Sequence, residues 1–262
     1  MNKRDKIRFF SQLFFLIVSL TLLVLLILGF LGVSHSYCPF ASVCFGILGL
    51  SPAVSVWLFK TAAIVGILIA FSTVFWGRKF CGYICFLGTL QEFIYNLNCS
   101  REKYCRKLSY KTHLILRVLK YLVLIFTAVT AFLALQYLYM KFCPVYALAH
   151  PQNISLAAVF TLIVIFVLGV WVERFWCRYL CPYAALMNLF QYMGKLLGIK
   201  RQKIRRNIEA SVNCKTCSNY CPMGIKIECK EEISNINCIH CGRCVRKCLK
   251  DNFSKEQCLY RD

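Results

Sequence analysis

The chain has 262 residues, 59% of them apolar, yet it carries a formal net charge of +21 at pH 7. That combination excludes an ordinary soluble domain; with the two properties separated along the chain, it describes a membrane protein with basic loops. Eighteen cysteines, many at C-x2-C spacing in the basic segments, argue against a secreted disulfide scaffold and for metal ligation in a reducing compartment.

Four apolar runs follow one another: Phe9–Val33, Ala53–Trp76, Leu114–Met140 and Ile154–Val172. Each is long enough to cross about 30 Å of hydrocarbon. The first is too long for a cleaved signal peptide and has no small-x-small site after it. Lys60, Arg117 and Lys120 are expected to snorkel to the interface from the ends of their runs. Lys and Arg set the orientation: four lie in the N-terminal tail, seven in 77–113 and seventeen after 173, against none in 34–52 and only Lys141 in 141–153. Both termini are therefore expected in the cytoplasm of a multi-pass cell-membrane protein. Topology accounts for most of the basic charge, so no nucleic acid is expected. The run KRQKIRR (200–206) suits anionic lipid instead.

The halves repeat. RKFCGYIC (78–85) returns 96 residues later as RFWCRYLC (174–181). Each copy follows an apolar run and precedes a short amphipathic piece, LGTLQEFIYNL or YAALMNLFQYM, and each half carries a Cys-Pro outer loop at Cys38 or Cys143. A parallel repeat about an axis along the membrane normal would bring the two Cys-x3-Cys pairs together at the cytoplasmic surface. If each pair rides on one helix, Cys81 and Cys85, and likewise Cys177 and Cys181, share a face. Four such thiolates suit an iron–sulfur cluster, Cu(I) or zinc; the rival reading is four small buried hydrophobes.

The tail carries the clearest chemistry. CIHCGRCVRKC (238–248) is C-x2-C-x2-C-x3-C, the run that holds a [4Fe–4S] cluster through Cys238, Cys241 and Cys244 while Cys248 serves a second cluster. Zinc competes for the same donor set. The earlier CKTCSNYCP offers Cys214, Cys217 and Cys221, one cysteine short of a full run; Cys229 is the candidate replacement. Arg243, Arg246 and Lys247 are expected to raise the cluster potentials, since positive charge favours the reduced state. Haem is not expected: His35, His113, His150 and His240 supply no pair deep in a span, and no C-x-x-C-H occurs. His35 and His150, with Cys38, Cys44 and Cys143, could form an outer metal site. Cys99, Cys105 and Cys258 fit no motif.

FCGYICFLGTL, WCRYLCPYAAL, CPMGIKI and CIHCGRCVRKC together resemble the polytopic membrane ferredoxins of the NapH, NosR and CcoG type, over roughly 53–250. The resemblance implies electron transfer between quinol or cytoplasmic donors and a partner redox enzyme or metal-centre assembly system. Two departures stand out: Phe86 where the family has proline, and Arg178 where it has glycine. The expected fold is an all-α membrane protein, four transmembrane helices in two parallel repeated pairs, with a small C-terminal ferredoxin-like α+β domain for two clusters. Its parts are membrane repeat 1 (1–108), membrane repeat 2 (109–198), a basic linker (199–212) and the cluster domain (213–262). The leading function is a membrane-anchored electron carrier rather than a stand-alone enzyme. The alternative is a copper- or metal-reducing assembly factor using the paired membrane cysteines.

Overall fold

A computed structural model describes residues 3–28, 43, 57–99, 110–133, 135, 138–139, 141–144, 155–199, 204–205, 218, 220–227 and 232–246. Each half builds the same series of helices. In the first half these are α1 (Lys3–Ile27), α2 (Trp57–Trp76), α3 (Lys79–Tyr83) and α4 (Phe86–Cys99). In the second they are α5 (Tyr110–Phe132), α6 (Leu156–Trp171), α7 (Phe175–Tyr179) and α8 (Pro182–Leu196). Two strands follow, β1 (Ile204–Arg205) and β2 (Glu232–Ile233), paired antiparallel with Ile204 opposite Ile233. This pairing ties the segment read as a basic linker to the tail. The last element is α9 (Arg243–Arg246).

The chain is mostly helical. Among the described residues two helices are long and apolar enough to cross a bilayer, over Lys6–Leu25 and Lys111–Phe132; Ile64–Trp76 and Leu156–Trp171 are shorter apolar stretches. The 16 residues of α6 rise about 24 Å, less than a full hydrocarbon thickness. Exposed apolar rows run along the two longest helices, Phe10, Phe14 and Ile17 on α1 and Ile115, Val118, Leu122 and Ile125 on α5. Their three- and four-residue spacing makes one continuous face on each, a surface suited to lipid rather than water.

The halves pack reciprocally. Helix α8 lies on α2 and α4 lies on α6, so each amphipathic helix covers the other half's apolar helix. In parallel, α1 packs on α3 and α4, and α5 on α7 and α8. Helix α8 buries Tyr183, Ala184, Met187, Asn188, Gln191 and Gly194, one face at helical spacing. Tyr183 Oη donates to Gly66 O at 2.7 Å and Thr73 Oγ1 to Met187 O at 3.2 Å, fixing α8 to α2.

One local expectation is corrected. The cysteines of each pair do not share a continuous helix. Helices α2 and α6 stop before the motif; Arg174 adopts φ 55° as the chain turns into α7. The short helices α3 and α7 then end after Tyr83 and Tyr179, and Cys85 and Cys181 stand before new helices. Pro182 explains the second break, because it has no N–H to continue a helix and its fixed φ suits a first turn. Cys181 caps that turn, its Sγ accepting from Ala184 N at 3.4 Å.

Candidate functional site

The break between the short helices folds both pairs inward. Cys81, Cys85, Cys177 and Cys181 are all buried in one core cluster with Met187 and Trp176. Cys85 and Cys177, one from each half, stand near enough for their thiols to influence each other's ionisation. Cys81 Sγ meets Met187 Sδ of α8 at 3.6 Å and Arg78 Nη2 at 3.9 Å. Burial pushes the Cys181 thiol up to about 12.

The arginines that open each motif reach across the pseudo-two-fold. Arg174 Nη2 pairs with Glu92 Oε2 at 2.5 Å, its Nη1 donates to Cys81 O, and it is fully buried. In the mirror contact, Arg78 Nη1 lies 3.3 Å from the Asn188 amide. Glu92 and Asn188 are equivalent positions, each 14 residues after the arginine of its own half. Glu92 is also held by Arg8 of α1 at 2.7 Å and by Arg243 of the tail at 2.6 Å; Arg243 pairs with Glu173 at 2.5 Å as well. Burial raises the Glu92 carboxyl, but Arg174, Arg243 and Arg8 outweigh it and hold it well below the ordinary carboxylate range. Arg243, expected to raise a cluster potential, is also the tail's contribution to this ion-pair network.

The tail seats on both motifs. Cys221, Cys238, Cys241 and Cys244 line one open cleft, ≈ 340 Å³ of empty space walled by Met223, Ile225, Ile227, Ile233 and Ile239. The run Cys238–Cys241 rests on the first motif: Tyr83 Oη donates to His240 O at 3.4 Å, and a Cβ on Gly82 would stand 2.5 Å from Ile239 O. Residues 221–224 rest on the second motif. Arg117 Nη2 donates to Met223 O at 2.7 Å, and Arg178 packs against Gly224, which at φ 59° carries no side chain to oppose it. Gly82 and Arg178 are equivalent positions, so the departure from the family pattern at Arg178 is matched by a glycine on the facing loop. Lys120, like Arg117, turns toward the tail. Lys120 is 1% exposed and donates to Asn237 Oδ1 at 2.6 Å.

Two groups of four cysteines are therefore brought together among the described residues. Cys214, Cys217, Cys229 and Cys248 lie outside them, as do Cys38, Cys44, Cys105, Cys258, His35 and His150. No three His, Cys, Asp or Glu side chains among the described residues close on a point that one metal ion would occupy. Thiolates around a cubane each bind their own iron and need no such common point, so both groups fit a [4Fe–4S] cluster in donor type and number. The cleft adds an apolar lining, and Gly242 at φ 72° relieves the tight loop. Sequence reasoning missed Glu92, Asn188, Arg8 and Glu173. The signal was present: at the 96-residue offset Glu92 and Asn188 are paired polar residues within otherwise amphipathic helices.

Two such thiol groups suit iron–sulfur chemistry, and the comparisons place the protein more narrowly. The family model described as a 4Fe-4S binding domain matches twice, over 57–103 and 154–200, each match enclosing one Cys-x3-Cys motif. An uncharacterized protein of Methanocaldococcus jannaschii, MJ0750, is 31% identical over 190 residues, 72% of this chain and 76% of that protein. YccM of Escherichia coli K12, provisionally named an electron transport protein, is 30% identical over 198 residues, 71% of this chain and 54% of YccM. The ferredoxin-type protein NapH of Haemophilus influenzae is 27% identical over 200 residues, 71% of this chain and 65% of NapH. No solved structure matches. The chain belongs to the NapH-like family of 4Fe-4S ferredoxin-type proteins.

Proposed function

We propose that the chain is a membrane-anchored electron carrier with one iron–sulfur cluster between its halves and two in its tail. The observation that carries this reading is the convergence of Cys81, Cys85, Cys177 and Cys181, two from each half, in one buried core that also contains the cysteine-lined cleft of the tail. Cys221, Cys238, Cys241 and Cys244 would hold the nearer tail cluster. Cys214, Cys217 and Cys248, with Cys229 as fourth ligand, would hold the other. A [4Fe–4S] group supplies one-electron transfer at a potential set by charge, hydrogen bonding and exposure.

In this reading α1, α2, α5 and α6 all cross the bilayer as two parallel pairs, with both termini cytoplasmic. Lipid covers the exposed apolar faces. The tail is a small α+β unit built on β1, β2 and α9. The electron-transport name of YccM and the ferredoxin-type name of NapH support a role between quinol or cytoplasmic donors and a partner redox enzyme.

The copper-handling alternative draws on the nearness of Cys85 and Cys177, since two thiolates suffice for Cu(I). Metal analysis of protein purified without oxygen separates the two. Three clusters predict about twelve irons per chain, falling to about eight in Cys81→Ser with Cys177→Ser. About eight irons in both proteins, with copper bound only to the parent, would replace the inter-half cluster with a copper site.

A further inference from the structure

Arg78 and Lys120 are among the most deeply buried side chains, 0% and 1% exposed. Among the described residues neither pairs with a carboxylate; Glu92 and Glu173 are taken by Arg8, Arg174 and Arg243. Their polar partners are neutral. Arg78 meets the Asn188 amide and the Cys81 sulfur. Lys120 Nζ donates to Asn237 and lies 5.2 Å from the Tyr121 ring centroid. Lys120 interacts electrostatically with Arg78, Arg117, Cys181 and Cys81, so this cation group faces one cysteine of each half.

The asymmetry arises at one pair of equivalent positions. The first half offers Glu92 to the arginine that reaches across, and the second offers Asn188. Among the described residues, one side of the four-cysteine site is thus an ion-pair network, while the other holds Arg78 and Lys120 with no acid beside them. Keeping a buried cation charged with no acid beside it is among the costliest arrangements in a protein interior, and among the described residues neither Arg78 nor Lys120 has one. The groups that can carry the matching negative charge are the sulfurs.

We infer that Arg78 and Lys120 are the counter-charge of the anionic metal–thiolate group held between the halves. The inference rests on the proposed inter-half cluster. Four thiolates around an oxidised [4Fe–4S] core carry two net negative charges, which two cations match; one Cu(I) on two thiolates carries one. The two cations also favour the more negative, reduced form.

The test uses the full chain, purified without oxygen in detergent, with iron and sulfide analysis and a redox titration followed by electron paramagnetic resonance. Arg78→Gln and Lys120→Gln are each expected to make one reduction about tenfold less favourable, a fall of about 59 mV for a one-electron couple. The other potentials stay in place, and Arg78→Lys and Lys120→Arg largely restore the parent value. Unmoved potentials in both glutamine variants, with iron retained, would overturn the inference. If a glutamine variant instead loses about four irons, retention in its charge-keeping counterpart upholds the counter-charge role, and loss in both shows a packing role and overturns it. Should Arg78→Gln fail to fold, Lys120→Gln, on a different helix, is read alone. Cys81→Ser with Cys177→Ser reports separately on the underlying cluster: no loss of iron there would remove the cluster itself.

Discussion

Glu92→Gln is expected to lower the stability of the folded chain by about 3–5 kcal/mol, the usual cost of removing one partner from a buried ion pair. Glutamine keeps the size and one acceptor but deletes the charge. Arg8, Arg174 and Arg243 would then share Glu173 alone, and only Arg243 touches it. Four parts of the chain meet at Glu92: α1, α4, the turn into α7 and the cysteine loop of the tail. The same substitution should therefore loosen the tail before the helices unfold. Thermal or denaturant unfolding of the purified chain measures the first effect, and protease sensitivity of the tail the second. A loss below about 1 kcal/mol, the range of an exposed pair, would show that water reaches this network.

The sign of the pH dependence follows. The folded Glu92 carboxyl sits below its ordinary value of 4.5, against burial, because Arg174, Arg243 and Arg8 favour the charged form. Its contribution is full above the unfolded value and is lost as pH falls below about 4.5 toward the folded value. Glu173 acts oppositely. Burial raises its carboxyl more than Arg243 lowers it, so protonation on acidification favours the folded form. Three cations hold Glu92 and one holds Glu173, so the Glu92 contribution prevails. The parent should lose stability below about pH 4.5, and Glu92→Gln should flatten that decline.

The periodicities in the sequence were sufficient to locate the helices. Long apolar runs and the repeated motif gave both halves and the amphipathic pieces now seen as α4 and α8, because those signals are local and strongly periodic. The break inside each motif was harder to see. Spacing of four residues reads as one helical face, and only Pro182 marks the start of a new helix; Phe86, its equivalent, gives no such mark. Lys120 was hard to place for a different reason. A lysine near the end of an apolar run ordinarily reaches for the interface, but here Asn237 of the tail comes to meet it.

That Cys81, Cys85, Cys177 and Cys181 share one core, and Cys221, Cys238, Cys241 and Cys244 one cleft, could be anticipated from the repeat and the C-x2-C spacing, because short spacings keep thiols close. The ion-pair network could not, because its members come from positions 8, 92, 173, 174 and 243 and meet only through the reciprocal packing of the halves. Cross-half reach, rather than any local pattern, selects Glu92 as the residue on which the arrangement turns. The equivalence of Glu92 and Asn188 could have flagged it, yet nothing in one sequence says that each would face the arginine of the other half.

Gly82→Ala is expected to lift the cysteine loop of the tail off the first motif. The added Cβ would stand 2.5 Å from the Ile239 carbonyl oxygen, a backbone atom that cannot swing aside like a flexible side chain. Gly82 follows Cys81 directly, and Ile239 follows Cys238, so this contact is the place where the inter-half site and the tail cleft touch through backbone. Gly82 O also accepts from Gln12 Nε2 at 3.0 Å and Arg8 Nε at 3.3 Å, which pins its peptide from the α1 side and leaves the tail as the partner that must move. Overpacking of this kind typically costs about 1–3 kcal/mol. Hydrogen exchange at 238–242 should rise in Gly82→Ala while exchange in α4 and α8 stays unchanged, and electron transfer between the two cysteine sites should slow. At the equivalent position of the second half the order of small and large is reversed: the Cβ of Gly224→Ala would meet the flexible end of Arg178, so its cost comes chiefly from the positive φ of 59°, and Arg178→Ala should leave the 221–224 turn seated through the Arg117 bond to Met223. Unchanged exchange at 238–242 in Gly82→Ala would mean that the two sites do not meet through this contact.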